Sequence, residues 1–316
     1  MGTMTHGVEV VMYHYVRPID RTAFPRIRGL HTDGFERQLD WLQENTRIIG
    51  IDEFLALLAA GTAPSERTSL LTFDDGFRDH VDFVLPALER RGLTGAFYVP
   101  SAAVLEAELL DVHRIQFILA SIDESDVETL IARCRDAIAS YLPPQRMGEL
   151  QAESRKSRFD TENVIVLKRL LQRELPRAVR RALTAELFAD YVSTDEAAFS
   201  RELYLNESDL RHLVDAGMHV GSHAHSHEWL PFLPAAEQEM ELRRSHELLD
   251  SIGAGSEWTL AYPYGHFDPS TLDIAHRLHC AAAFTTRVGP VNIGAGDFDS
   301  MSRLELPRYD TNDFPQ

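Results

Sequence analysis

Lysine is almost missing from this 316-residue chain: Lys156 and Lys168 stand nearly alone among 31 basic residues, the rest being arginine. Because Arg replaces Lys on ordinary surface helices too, this reads as compositional bias rather than function. A basic excess is missing as well. The 49 acidic residues leave a formal net charge of −18. A field of that sign repels phosphate backbones and anionic lipid surfaces, so nucleic acid is set aside as a main partner, although a local Arg cluster would still hold a phosphate. Cysteine is scarce: Cys134 and Cys280 lie far apart, in apolar contexts, with no Cys-x-x-Cys pair. They read as small buried or half-buried residues, not as a disulfide or metal framework. No apolar run is long enough to cross a bilayer. The opening residues lack a charged n-region and an apolar h-region, so no secretion signal is expected and the chain is read as soluble and cytoplasmic.

What is present is ordinary globular composition, 44% hydrophobic and 25% charged, enough to build a sizeable core without staples. Short apolar runs at 8–13, 47–51, 69–73, 95–99, 218–222, 258–262 and 281–285 read as strands. Helical stretches at 35–44, 52–60, 80–91, 207–216, 236–252 and 269–278 fall between them. A strand-then-helix rhythm with about seven strands argues for a parallel sheet closed as a (β/α) barrel. Asn206-Glu207-Ser208-Asp209 has the form of a helix N-cap with acids in the first turn, and Gly61 ends the helix opened by Asp52-Glu53.

Residues 105–201 break the rhythm. They are rich in Arg and Glu, helical in pattern over 127–141, 163–175 and 176–191, interrupted at Pro143-Pro144, and show no buried strand. They read as a helical insertion that forms a lid, a substrate wall or a solvated bundle, with exposed apolar positions that would suit a homodimer. The expected division is a barrel over 1–104 and 202–316 and an insertion over 105–201. His113 within the insertion reads as a surface-helix residue, with reach to the mouth of a site as the alternative.

Four strand ends carry chemistry-bearing residues. Thr72-Phe73-Asp74-Asp75-Gly76 puts two carboxylates where barrel enzymes place catalytic groups, one able to bind a metal while the other serves as a base. Alone, Asp-Asp-Gly is usually a turn. His223-Ala224-His225-Ser226-His227 follows another strand. In a helical conformation His223 and His227 would share one face and could share a metal, with His225 pointing elsewhere. Ala261-Tyr262-Pro263-Tyr264-Gly265 makes a turn at a third strand end, where a backbone N–H would face a developing oxyanion. Met12-Tyr13-His14 places a histidine at the end of the first strand, structural or catalytic at equal odds.

Together these motifs resemble the polysaccharide deacetylases, the NodB-homology group of carbohydrate esterases, over roughly 8–104 and 203–290. The resemblance implies a distorted (β/α)7 barrel that hydrolyses N-acetyl groups on amino sugars. It assigns Asp74 as the catalytic base, Asp75, His223 and His227 as metal ligands, and the Tyr264 N–H as oxyanion donor. Two departures matter. Ala261 stands where many members carry an Arg, and the late motif supplying a general-acid His is not evident. Tyr13-His14-Tyr15-Val16 is similar to a subgroup motif whose histidine is the acid, which nominates His14. Arg308 and Asp310 are candidates to replace the missing Arg by orienting Asp74 or His14, with plain salt bridging as the alternative.

The resulting expectation is a hydrolase of linear amide C–N bonds using one divalent ion, best Zn²⁺, with Co²⁺, Ni²⁺ or Fe²⁺ also suited to two imidazoles and a carboxylate. The expected substrate is an acylated amino sugar in a glycan, glycolipid, nucleotide sugar or glycosylated metabolite. A deformylase, a non-sugar C–N hydrolase and a non-catalytic carbohydrate-binding relative are the alternatives.

Overall fold

The computed structural model describes residues 7–154, 160–294 and 301–315. Ten strands are found there: β1 Val8–Tyr13, β2 Val16–Arg17, β3 Leu30–His31, β4 Arg47–Ile49, β5 Thr68–Phe73, β6 Ala96–Val99, β7 His219–Ser222, β8 Thr259–Ala261, β9 Ala282–Phe284 and β10 Tyr309–Asp310. The main sheet runs β10-β1-β5-β6-β7-β8-β9, and all its pairings are parallel. A parallel bridge from Phe284 to Leu306 ties the last strand of the path to the segment leading into β10, so the sheet curls back on itself. The chain thus forms the (β/α) barrel that its rhythm predicts.

All seven expected strands form, but they are not the seven of the barrel path. β4 pairs only with the first half of β5, on the edge whose second half is taken by β6. The remaining place in the path goes to β10, two residues long and flanked by Pro307, which carries no apolar alternation to announce it.

Period-two alternation sorts the strand residues into two faces. Val11, Tyr13, Leu71, Phe73, Phe97, Val99, Val220 and Leu260 pack outward against helix residues such as Phe35, Leu39, Leu88, Leu213, Leu242 and Leu249. Val8, Val10, Leu70, Ala96, Tyr98, Ala261, Ala282 and Phe284 pack on the other face with Phe54, Leu55 and Leu58. Each such side chain, fully buried, is worth about 1.5–3 kcal/mol. The same alternation continues past the strand ends, so His14 follows Val10 and Met12, Asp74 follows Leu70 and Thr72, and His223 follows His219 and Gly221, all on the inner face.

The expected Asn206 cap is present as a full capping box, with Asn206 Oδ1 accepting from the N–H of Ser208 and Asp209 and Asp209 accepting from the N–H of Asn206. Gly61 ends helix Ile51–Ala60 in the left-handed conformation (φ 59°). The chain divides into two compact units, Met1–Pro18 with Gly29–Glu108 and Arg201–Gln316, and Ile19–Arg28 with Leu109–Ser200. Within the second, the stretch expected as one helix over 127–141 is two, Val127–Arg133 and Arg135–Tyr141, broken at Cys134. His113 is fully buried, not on the exposed face of its helix as expected. Cys134 is buried and Cys280 half-buried, both unbridged. Among the described residues no helix is long and apolar enough to cross a membrane.

Candidate metal centre

The strand ladder carries straight into the site. Asp74 donates its N–H to Tyr13 O (2.9 Å), and His223 donates to Val99 O (3.0 Å), so these residues stand level on one rim. Beyond them the backbone turns sharply. Asp75, Ala224, His227 and Tyr264 all have positive φ (75°, 58°, 55° and 57°). Left-handed backbone costs a non-glycine residue about 1–2 kcal/mol and persists only where the surroundings enforce it, most often at functional sites.

These turns bring Asp75, His223 and His227 together. Their ligating atoms lie within 4.8 Å of one another and all three side chains are buried. Asp75 Oδ1 is 3.4 Å from both His223 Nε2 and His227 Nε2. His223 Nδ1 is fixed on the carbonyl of Ala261 at 2.6 Å, which as the donor nitrogen leaves the lone pair on Nε2 facing the cluster. A metal-binding histidine typically has this arrangement, its second nitrogen tied to a carbonyl. Burial alone would lower the His223 imidazole, but the carboxylates of Asp75 and Asp74 more than offset this and raise it. A divalent cation would compete with the proton for that same lone pair. One carboxylate and two imidazoles, converging and buried, fit a divalent transition-metal ion with positions left for water and substrate.

The two imidazoles do not meet by the route the spacing suggested. Residues 223–229 form no helix; Ala224 and His227 are left-handed, and it is this irregular loop that aims both rings inward. His225 does point elsewhere: its Nδ1 is 2.8 Å from Ser101 Oγ and its Nε2 3.0 Å from an Arg244 nitrogen. Gly221 is required at the strand below, where a Cβ would stand 2.5 Å from Tyr98 Cε1.

Asp74 is held separately. Arg308 grips it bidentately, with Nη1 to Oδ1 at 2.8 Å and Nη2 to Oδ2 at 2.7 Å. The guanidinium is itself fixed, Nε donating to Thr285 O (3.0 Å) and Nη1 to Thr72 Oγ1 (3.2 Å). Both members are almost wholly buried, at 1% and 2% side-chain exposure, so the pair is little screened by solvent. Burial by itself would push the Asp74 carboxyl up, but the Arg308 guanidinium, with the charges of His223 and His14, holds it below the usual carboxylate range. Asp310 does not share this task. It ends β10 opposite Met12, and its carboxylate caps the following turn by accepting from the Asn312 N–H (2.9 Å).

His14 stands at the end of β1, half-buried, and its backbone carbonyl accepts from His80 Nε2 at 3.0 Å. Burial pushes His80 down to about 4, so it stays neutral at ordinary pH and serves as a fixed donor. Tyr264 sits in the turn Pro263–Gly265, its ring 4.8 Å from His227 and stacked on Trp229 at 4.2 Å. Sequence reasoning did not single out Trp229, nor Glu241, whose carboxylate accepts from the backbone of residues 225 and 226. The aromatic Trp229 two residues past His227 was a visible signal; Glu241 looks like any other acid of helix Ala235–Ser251.

Comparison with known proteins agrees with the motifs. Residues 184–283 match the model of the polysaccharide deacetylase family. No curated protein matches the chain. Among solved structures, the Streptococcus pyogenes deacetylase PplD in complex with acetate superposes with a TM-score of 0.58 at 16% identity, covering 97% of this chain and 93% of its own. IcaB from Ammonifex degensii gives 0.55 at 17% identity over 92% and 88%. The BpsB deacetylase domain from Bordetella bronchiseptica gives 0.52 at 15% identity over 98% and 96%. At these identities the structures speak for the fold, and the sequence match covers the His-x-x-x-His and Pro-Tyr-Gly motifs.

Proposed function

We propose, from this likeness to the polysaccharide deacetylases in motif, family match and fold, that the chain is a metal-dependent hydrolase removing an N-acetyl group from an amino sugar. The observation that carries the reading is the pairing of a buried Asp75–His223–His227 cluster with a second carboxylate, Asp74, that is oriented by Arg308 instead of being drawn into the cluster. The chemistry is assigned to the barrel segments 1–104 and 202–316; the helical segment 105–201 carries none of it.

A divalent ion held by Asp75, His223 and His227, best Zn²⁺ by its donor set, would act as a Lewis acid on the acyl carbonyl and on water. Asp74, kept as a carboxylate by Arg308, takes the proton from the attacking water. Each carboxylate oxygen engaged by Arg308 retains a further lone pair for this purpose. The left-handed turn at Tyr264 offers its backbone N–H to the oxyanion that develops on the acyl oxygen, a donor type worth about 3 kcal/mol. His14, its carbonyl anchored by His80, gives a proton to the leaving nitrogen. The products are a free amino sugar and acetate, the ligand bound to the Streptococcus pyogenes deacetylase. An intracellular nucleotide- or lipid-linked amino sugar, or a glycosylated metabolite, is the proposed substrate.

The test is His223→Ala, assayed for bound divalent metal and for acetate release from N-acetylglucosamine derivatives. Both are expected to be lost together. A variant that keeps full acetate release without metal would contradict the proposal.

A further inference from the structure

Glu241 is a buried carboxylate that the chemistry above leaves unused. It belongs to helix Ala235–Ser251 and shares a buried polar face with Gln238 and Ser245, three residues before and four after it. Its Oε2 accepts the backbone N–H of His225 (3.1 Å) and of Ser226 (2.7 Å), and its Oε1 accepts the Ser226 hydroxyl (2.7 Å). These are the residues between the two imidazoles of the metal centre. The same helix holds the start of that loop: Ser222 Oγ donates to Ser245 Oγ (2.8 Å) and accepts from the Ala224 N–H (3.1 Å).

The loop needs an outside hold. Residues 223–229 are neither helix nor strand, and Ala224 and His227 are both left-handed, at a cost of about 1–2 kcal/mol each. A carboxylate accepting three hydrogen bonds from two consecutive residues supplies that hold, and hydrogen bonds to charged groups are stronger than neutral ones. Charge bookkeeping adds a second reason. Asp74 is paired with Arg308, and Asp75 and Glu241 are two further buried carboxylates among the segments that build the centre. Arg244 of the same helix is half exposed and turned to His225 and Glu106. A dication among Asp75, His223 and His227 is attracted by the Glu241 carboxylate as well.

We propose that Glu241 is a positioning residue of the metal centre: it fixes the loop that aims His223 and His227 at Asp75, and its charge favours a divalent ion there. The proposal rests on the metal-centre reading above. The decisive variant is Glu241→Gln. Its amide oxygen can still accept the two backbone N–H groups, while its NH2 donates to the Ser226 hydroxyl, which turns to accept; the hydrogen bonds survive and the charge does not. Glu241→Ala removes both.

The measurement is Zn²⁺ affinity by competition with a chelating dye, alongside the melting temperature of the metal-free protein. Glu241→Gln is expected to weaken Zn²⁺ binding about 10- to 100-fold, the range found for partners of metal ligands, with the metal-free melting temperature lowered less than in Glu241→Ala. Glu241→Ala is expected to weaken it further and to lower that melting temperature. A Glu241→Gln protein that binds Zn²⁺ as tightly as the unsubstituted chain overturns the proposal, whether or not it melts lower. If the unsubstituted chain itself binds no Zn²⁺ or Co²⁺, it is the metal-centre reading that falls, and the two failures are told apart by that control.

Discussion

Asp74→Asn is expected to lower acetate release by about 10²- to 10⁴-fold, the range a general base contributes, while the protein keeps its full complement of divalent metal. The separation of the two readouts follows from geometry. Asp75, not Asp74, shares the cluster with the imidazoles, and Asp74 is turned to Arg308. Asparagine fits the same space and its amide oxygen still accepts from one guanidinium nitrogen, but it cannot take a proton from water. Inductively coupled plasma analysis of metal content beside a coupled acetate assay decides the matter. Near-native turnover in the variant would remove Asp74 from the base role, and loss of metal along with turnover would mean that the two carboxylates do not divide their work.

Arg308→Met is expected to produce the largest loss of stability, about 3–5 kcal/mol at neutral pH, because it strands a buried carboxylate without its counter-charge. The sign of the pH dependence follows from the direction of the Asp74 shift. In the parent chain the folded carboxyl lies below its unfolded value of about 3.9, so the pair's contribution is complete above that value and fades as pH falls through the folded one. In the variant the guanidinium no longer offsets burial, only His223 and His14 still oppose it, and the folded carboxyl rises. The deficit is therefore greatest near pH 7 and shrinks as the solution is acidified and Asp74 becomes protonated. Denaturant unfolding of both proteins at pH 7 and pH 4.5 reads this directly. The acid limb of the activity profile should move to higher pH in Arg308→Lys, which keeps the charge but not the two-pronged grip. A deficit that is constant with pH would show that the pair does not set the ionisation of Asp74.

The parts of the molecule that were readable from sequence are those governed by local periodicity. Apolar runs such as Val8–Tyr13 and Thr68–Phe73 are buried on both faces of a parallel sheet, so they stand out without any partner being known. The residues at their ends inherit a common rim from the register alone. What was not readable depends on closure in three dimensions. β10 has two residues and owes its place to the barrel's return past β9. Arg308 and Asp310 looked equivalent two positions apart, yet Arg308 is buried against Asp74 while the Asp310 carboxylate is taken up in capping the turn that follows β10. The His-x-x-x-His spacing suggested a helical turn and met a left-handed loop instead, because Glu241 on a distant helix offers that loop its hydrogen bonds. His113 was misplaced for a similar reason: the helix carrying it buries most of its residues, polar ones included.

The most direct test of the metal-centred hydrolysis is to strip the purified chain with a chelator, return Zn²⁺ in increments, and follow acetate release from an N-acetylated amino sugar. Activity should vanish on stripping and climb back to a plateau at one equivalent of metal per chain, with no recovery in the His223→Ala protein. Undiminished acetate release from the stripped chain, or a His223→Ala protein that recovers as the parent does, would contradict it.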